Sequence, residues 1–141
     1  MKKTELTATK EITVRFNEVD SMGIVWHGSY ALYFEDGREE FGRKYNLGYL
    51  DIFGSGFYAP LVNLDFSFKK PLIYGDKAIV KTTYLNTRAA KILFEYEIIS
   101  PKDNAVICTG SSVQVFLDKN YELVLYNPDF YLNWKKNHGL L

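Results

Sequence analysis

Between residues 29 and 45 apolar side chains recur at helical spacing, and after Gly56 the period changes to two. Tyr30, Phe34, Gly37 and Phe41 share one face of the first segment; Glu35, Asp36, Glu39, Glu40, Arg43 and Lys44 take the other. The spacing predicts a helix over Ser29–Tyr45. Glu39–Arg43 and Glu40–Lys44 are expected as i,i+4 pairs, each contributing about 0.2–0.5 kcal/mol. Gly37 breaks the pattern, since Gly in a helix interior costs up to about 1 kcal/mol against Ala. A close approach of another element to that face is the expected reason. One long helix among many strands gives an α+β order, a curved antiparallel sheet wrapped around one long central helix.

The strands are read from alternation. A first one is expected over residues 11–16, with Ile12, Val14 and Phe16 inward. Residues 17–28 then form a loop. Leu61–Phe68 follows, setting Val62, Leu64, Phe66 and Phe68 against Asn63, Asp65 and Ser67. Further strands are expected over 78–85, 91–100 and 105–117, with a brief pairing segment at 121–125. Residues 128–137 read as a short helix, with Asn127 as its cap and Pro128 in its first turn. With no internal repeat or low-complexity tract, the 141 residues are expected to form a single domain, residues 1–141.

Seventeen basic residues balance 17 acidic ones, so no overall field favours nucleic acid or an anionic membrane. The single cysteine, Cys108, lies in an apolar run and reads as a buried, inert thiol. Lys2 and Lys3 make the N-terminal segment basic, but no apolar core of a signal peptide follows, and no apolar run approaches the roughly 20 residues of a membrane span. The expected location is cytoplasmic. Two histidines and one cysteine without ligand spacing give no metal site, and there is neither a Gly-x-Ser-x-Gly elbow nor a phosphate-binding Gly-Lys loop. No cofactor is expected.

The stretch D-S-M-G-I-V-W-H-G-S-Y, Asp20 to Tyr30, carries the chemistry. It sets one acid before a Gly-containing turn and the start of a helix. A helix start exposes backbone N–H groups and the positive end of the helix dipole. A carboxylate beside such donors can attack or hydrolyse an acyl group while the N–H groups hold the developing oxyanion. By residue type and place alone, Asp20 reads more readily as a structural turn residue than as a reacting group. His27 is a candidate through its ring or through its N–H. Tyr30 is a packing residue or part of the site. Glu35 reads as solvent-facing or paired with Arg38, and Asn63 as a site residue or an exposed strand residue.

The run I-T-V-R-F-N-E-V-D-S-M-G-I-V-W-H-G-S-Y resembles the N-terminal signature of small hotdog-fold acyl-CoA thioesterases, the 4-hydroxybenzoyl-CoA thioesterase type and its broader acyl-CoA relatives. Asp20, Gly23, Ile24, Val25, His27 and Tyr30 occupy the positions of that signature. The phrase Y-F-E-D-G-R-E-E-F is similar to the family's central helix, and K-K-P-L-I-Y-G-D and G-S-S-V-Q-V-F-L-D to its later β-segments. The resemblance covers roughly residues 11–117. It implies a hotdog fold, a homodimer or homotetramer, and active sites at the subunit interface. It implies that Asp20 is the nucleophile or the base for water, and that the N–H of His27 polarises the thioester carbonyl. Gly23, Tyr30 and Asn63 are then expected to line the substrate site, with the acyl chain near Tyr30, Phe34, Phe57 and Tyr58.

Coenzyme A carries phosphates that need cations. Lys69, Lys70, Arg88 and Lys91 are the candidates. In the 4-hydroxybenzoyl-CoA branch a basic run in the loop matching residues 87–91 holds the nucleotide; here it is thinned to Arg88-Ala89-Ala90-Lys91. Arg88 and Lys91 are the expected nucleotide-binding pair, and the thinning leaves room for an acyl-carrier-protein thioester. The function expected is acyl-CoA thioester hydrolysis. The alternatives are an acyl-carrier-protein thioesterase and a non-catalytic acyl-CoA-binding module.

Overall fold

The computed structural model describes residues 5–141; Lys2 and Lys3 of the basic N-terminal segment lie outside the described residues. The chain runs β1 (Thr7–Thr13), α1 (Ser29–Tyr45), α2 (Tyr49–Gly54), β2 (Leu61–Phe68), β3 (Lys77–Leu85), β4 (Lys91–Ile99), β5 (Val106–Leu117), β6 (Leu123–Val124) and α3 (Asp129–Asn137). The strands form one antiparallel sheet in the order β1-β3-β4-β5-β2, with β6 on β5. The predicted α+β hotdog architecture is present.

The long helix obeys the predicted period. Tyr30, Phe34, Gly37 and Phe41 are buried, joined by Tyr33. Phe34 stacks on Tyr96 of β4 and Phe66 of β2, at 4.4 and 5.1 Å between ring centroids. Phe41 packs on Phe94 and Tyr84. Gly37 faces β3, where an added Cβ would lie 2.5 Å from Thr82 Oγ1 and 2.7 Å from Val80 Cγ1. The missing side chain is what lets helix and sheet meet. The pair Glu39–Arg43 forms at 3.4 Å, but Glu40 pairs with Arg43 rather than Lys44. Lys44 instead donates to the Thr7 carbonyl at 2.8 Å, because that end of the helix lies against β1.

Several boundaries differ from the sequence expectation. The first strand runs over Thr7–Thr13 rather than 11–16 and ends where Val14 N–H bonds Asp76 O. Phe16 is 76% exposed, since the chain has already entered a one-turn helix at Phe16–Glu18. The short helix α2 lies where the sequence reading assigns no element. In α3 Pro128 is the residue before the first turn, and no side chain caps it. Asn127 donates to Arg88 O instead, tying α3 to the β3–β4 turn. Leu61–Phe68 forms as expected, but the register on β5 slips between Leu61 and Asn63, leaving Val62 58% exposed. Cys108 is fully buried, and burial pushes its thiol up to about 11.

Candidate active site

The loop from Glu18 to Ser29 is held by its own backbone. Asp20 N–H donates to Ile24 O at 2.8 Å, and Gly23 N–H to Asp20 O at 3.0 Å. Gly23 has φ +76°, a conformation that favours glycine. The loop is sewn to the chain after β2 by Val25 N–H to Leu72 O and Tyr74 N–H to Gly23 O. Asp20 Oδ1 accepts Met22 N–H at 2.8 Å, the turn geometry that a structural Asp would show. Among the described residues no donor reaches Oδ2. One carboxylate oxygen shapes the turn and the other is left over.

Asp20 lines a cavity of about 380 Å³ with Trp26, His27, Tyr30, Lys69 and Lys70. The helix start forms one wall. Ser29 N–H bonds Trp26 O and Tyr30 N–H bonds His27 O, while no described acceptor takes the N–H of His27 or Gly28. Those free amides at the α1 N-terminus suit a developing negative charge. The Trp26 indole lies over Gly28, where any side chain would run into it, and packs 4.8 Å from the His27 ring. Tyr30 is buried against Tyr33 and Phe68, and burial raises its hydroxyl above the usual value.

The predicted site residues separate into those that meet and those that do not. Asp20, His27 and Tyr30 meet around the cavity, and Gly23 turns the loop beneath them. Asn63 is exposed on β2, outside the cavity walls. Glu35 is exposed, 3.7 Å from Arg38, as expected. Phe34 is sealed in the core, away from any acyl chain, because Tyr96 and Phe66 cover its two faces. Phe57 and Tyr58 line a second cavity of about 550 Å³ with Arg38, Ile92, Phe94 and Gln114. That cavity and the turn bearing Arg88 and Lys91 sit at the Leu61 end of β2, where Leu61 faces Gln114 and Gln114 faces Ile92. The Asp20 cavity sits at the Phe68 end. Eight residues of strand, roughly 25 Å, separate the two ends. Within one chain Lys69 and Lys70, not Arg88 and Lys91, are the cations beside Asp20.

Glu18 and Tyr33 escape the sequence reading. Glu18 looks like a loop acid and Tyr33 like a filler of the helix interior. The signal was the Arg-x-x-Glu spacing of Arg15 and Glu18, whose reach-back bond closes the turn Phe16–Glu18.

One long helix clasped by an antiparallel sheet is the hotdog fold. The chain belongs to the thioesterase-like superfamily, whose family model matches residues 14–134. It is a thioester hydrolase by class. It is 33% identical over 131 residues to "Putative acyl-CoA thioesterase YneP" of Bacillus subtilis (strain 168), covering 90% of this chain and 94% of that one. It is 32% identical over 114 residues to "Acyl-acyl carrier protein thioesterase ATL3, chloroplastic" of Arabidopsis thaliana, covering 81% of this chain and 60% of that one. Among solved structures, the DHNA-CoA thioesterase of Staphylococcus aureus superposes with a TM-score of 0.81 at 29% identity, covering 95% of this chain and 92% of that one.

Proposed function

We propose that this protein hydrolyses acyl-CoA thioesters with Asp20 as the reacting carboxylate and the α1 N-terminus as the oxyanion site. The observation that carries the reading is the unpartnered Asp20 Oδ2 in the same cavity as the free N–H of His27. Either Oδ2 adds to the thioester carbon, or it takes a proton from the water that does. In both routes the carbonyl oxygen gains charge beside the His27 and Gly28 amides, the C–S bond breaks, and the thiolate leaves to be protonated. Attack by Asp20 gives a mixed anhydride that water then cleaves; Asp20 acting as base instead takes a proton from water, whose oxygen bonds the thioester carbon and gives the acid directly. In single turnover in ¹⁸O-water an anhydride opened at the Asp20 carbonyl releases acid carrying an enzyme oxygen and leaves the label on Asp20, whereas direct attack by water labels the acid; trapping with hydroxylamine detects an anhydride that water would open at the acyl carbon instead.

A second copy of the chain completes the site. β1 and β2 are the two ends of the strand order. β1 carries Lys10 and Glu11, the charges that guard an open edge, whereas the one charge of β2, Asp65, is taken up by Ser111 of the same sheet and Val62 and Phe68 are 58% and 52% exposed. Antiparallel pairing of β2 with itself about a two-fold axis reverses the second sheet. The Leu61 end of one copy then lies beside the Phe68 end of the other. Arg88 and Lys91 of the partner subunit, and its second cavity with the apolar wall of Ile92 and Phe94, come to the Asp20 end. The cations would hold the phosphates of CoA and the cavity the acyl group. An acyl-carrier-protein thioester is the second reading, favoured by the sparse Arg88–Lys91 turn and by the named activity of the Arabidopsis relative.

The test is a panel of acyl-CoA esters, and the same acyl groups on carrier protein, read by release of free thiol. Turnover of CoA esters is expected. Binding without thiol release on either carrier would overturn hydrolysis in favour of an acyl-ligand binding module.

A further inference from the structure

Glu18 is 7% exposed, and its carboxylate is deeply placed for a charged group in a loop. A buried carboxylate is costly unless its acceptors are filled. Here both short bonds end on one oxygen, Oε1, which accepts Arg15 N–H at 2.8 Å and Tyr33 O–H at 3.0 Å. The Arg15 side chain, 3.4 Å from Oε2, is 71% exposed and its ion pair is screened. The fixed contacts therefore come from the end of the β1 segment on one side and the second turn of α1 on the other. The main chain of Glu18 does a second job. Its carbonyl accepts Trp26 N–H at 3.0 Å and Ser29 Oγ–H at 3.1 Å, closing the loop that begins at Glu18. Asp20 is two residues into that loop, and His27 follows Trp26. Glu18 is not among the residues lining the Asp20 cavity.

We infer that Glu18, through the shared oxygen that Arg15 and Tyr33 bind, is a positioning residue that sets the distance between the Asp20 carboxylate and the α1 amides. This rests on the reading in which Asp20 reacts. It makes a demand on chemistry and geometry that a general structural role does not. Glutamine keeps the accepting oxygen and loses only the charge; alanine loses the oxygen.

Glu18→Ala is expected to lower kcat about tenfold with KM within about twofold, since small displacements of a reacting group cost rate rather than affinity. Glu18→Gln is expected to stay within about threefold of wild type. In an Asp20→Asn background Glu18→Ala is expected to cost less than twofold, because an effect exerted through Asp20 disappears with it. If Glu18→Ala does not fold, Tyr33→Phe takes its place, with an expected fall of about threefold and the same loss of effect in the Asp20→Asn background. Amide exchange gives a readout independent of turnover: the N–H groups of Asp20 and Gly23 should exchange faster in Glu18→Ala, or in Tyr33→Phe, than in Glu18→Gln, with the sheet unchanged. Wild-type kcat in Glu18→Ala, an equal loss in both backgrounds, or unaltered exchange of the loop would overturn the inference. An inactive wild type, or a fully active Asp20→Asn, overturns the hydrolase reading instead, and the exchange measurement still decides whether Glu18 anchors the loop.

Discussion

Asp20 Oδ1 accepts Met22 N–H, and among the described residues no donor reaches Oδ2, the oxygen proposed to react. Asparagine can keep the first role, since its amide oxygen accepts the same N–H. Asp20→Asn is therefore expected to fold like the parent and to lose on the order of 10²-fold in kcat. Circular dichroism beside the thiol-release assay checks both halves of that statement. The cations can be assigned in the same way. Replacing Lys69 and Lys70, or Arg88 and Lys91, by Ala should raise KM for CoA esters several-fold more than for an N-acetylcysteamine thioester, which has no phosphates. A pair whose loss affects both substrates equally is ordinary surface charge. If the turn acts across a two-fold axis, a hybrid dimer with Arg88 and Lys91 replaced in one copy keeps one unimpaired site, that of the replaced copy.

At the scale of elements, α1 and β3 meet at Gly37. Alanine there gains up to about 1 kcal/mol of helix propensity. It also forces its Cβ against Thr82 Oγ1 and Val80 Cγ1, both on a strand held by neighbours on each side. Overpacking of that kind costs about 1–3 kcal/mol and wins. Gly37→Ala should lower the urea midpoint, and Thr82→Ala beside it should recover part of the loss by removing the nearer atom. The glycine was legible because it interrupts an otherwise regular helical face. The alternation that located β3, β4 and β5 was legible for a similar reason: the inner face of each is buried, and period two survives in the residues. β1 was placed late because Thr7–Lys10 has little alternating character; its pairing with Thr83 through Val80 on β3 is tertiary information. α2 was missed because six residues are too few for a period. Asp20 and His27 stand in a motif; Glu18 leaves only its spacing from Arg15 in the sequence, and its bond to Tyr33 exists only when loop and helix are folded together.

For the whole molecule the open edge of β2 predicts association. Light scattering beside an activity assay over a dilution series should show an assembly of at least two chains, with activity falling as it dissociates. A fully active monomer would remove the shared site. The interior also sets an alkaline limit. Burial pushes the Tyr84 hydroxyl from 10.0 up to about 12 and the Cys108 thiol from 9.0 up to about 11. Both groups are neutral when protonated, and their folded values lie above the unfolded ones. Their contribution to stability is therefore fully present below about pH 9 and is lost as pH rises through about 11 to 12. Unfolding by denaturant should become easier across that window, with thiol alkylation appearing in step.

Trp134 of α3 donates its indole N–H to Tyr45 O at the last turn of α1, and Tyr131 and Trp134 stack beside Tyr84 and Phe41. The residues that seal this end of the core follow every strand of the sheet in chain order. A chain cut before Phe130 would keep every strand but leave Phe41 and Tyr84 open to water, and is expected to be protease-sensitive and to stick to its own kind rather than to behave as a shortened enzyme.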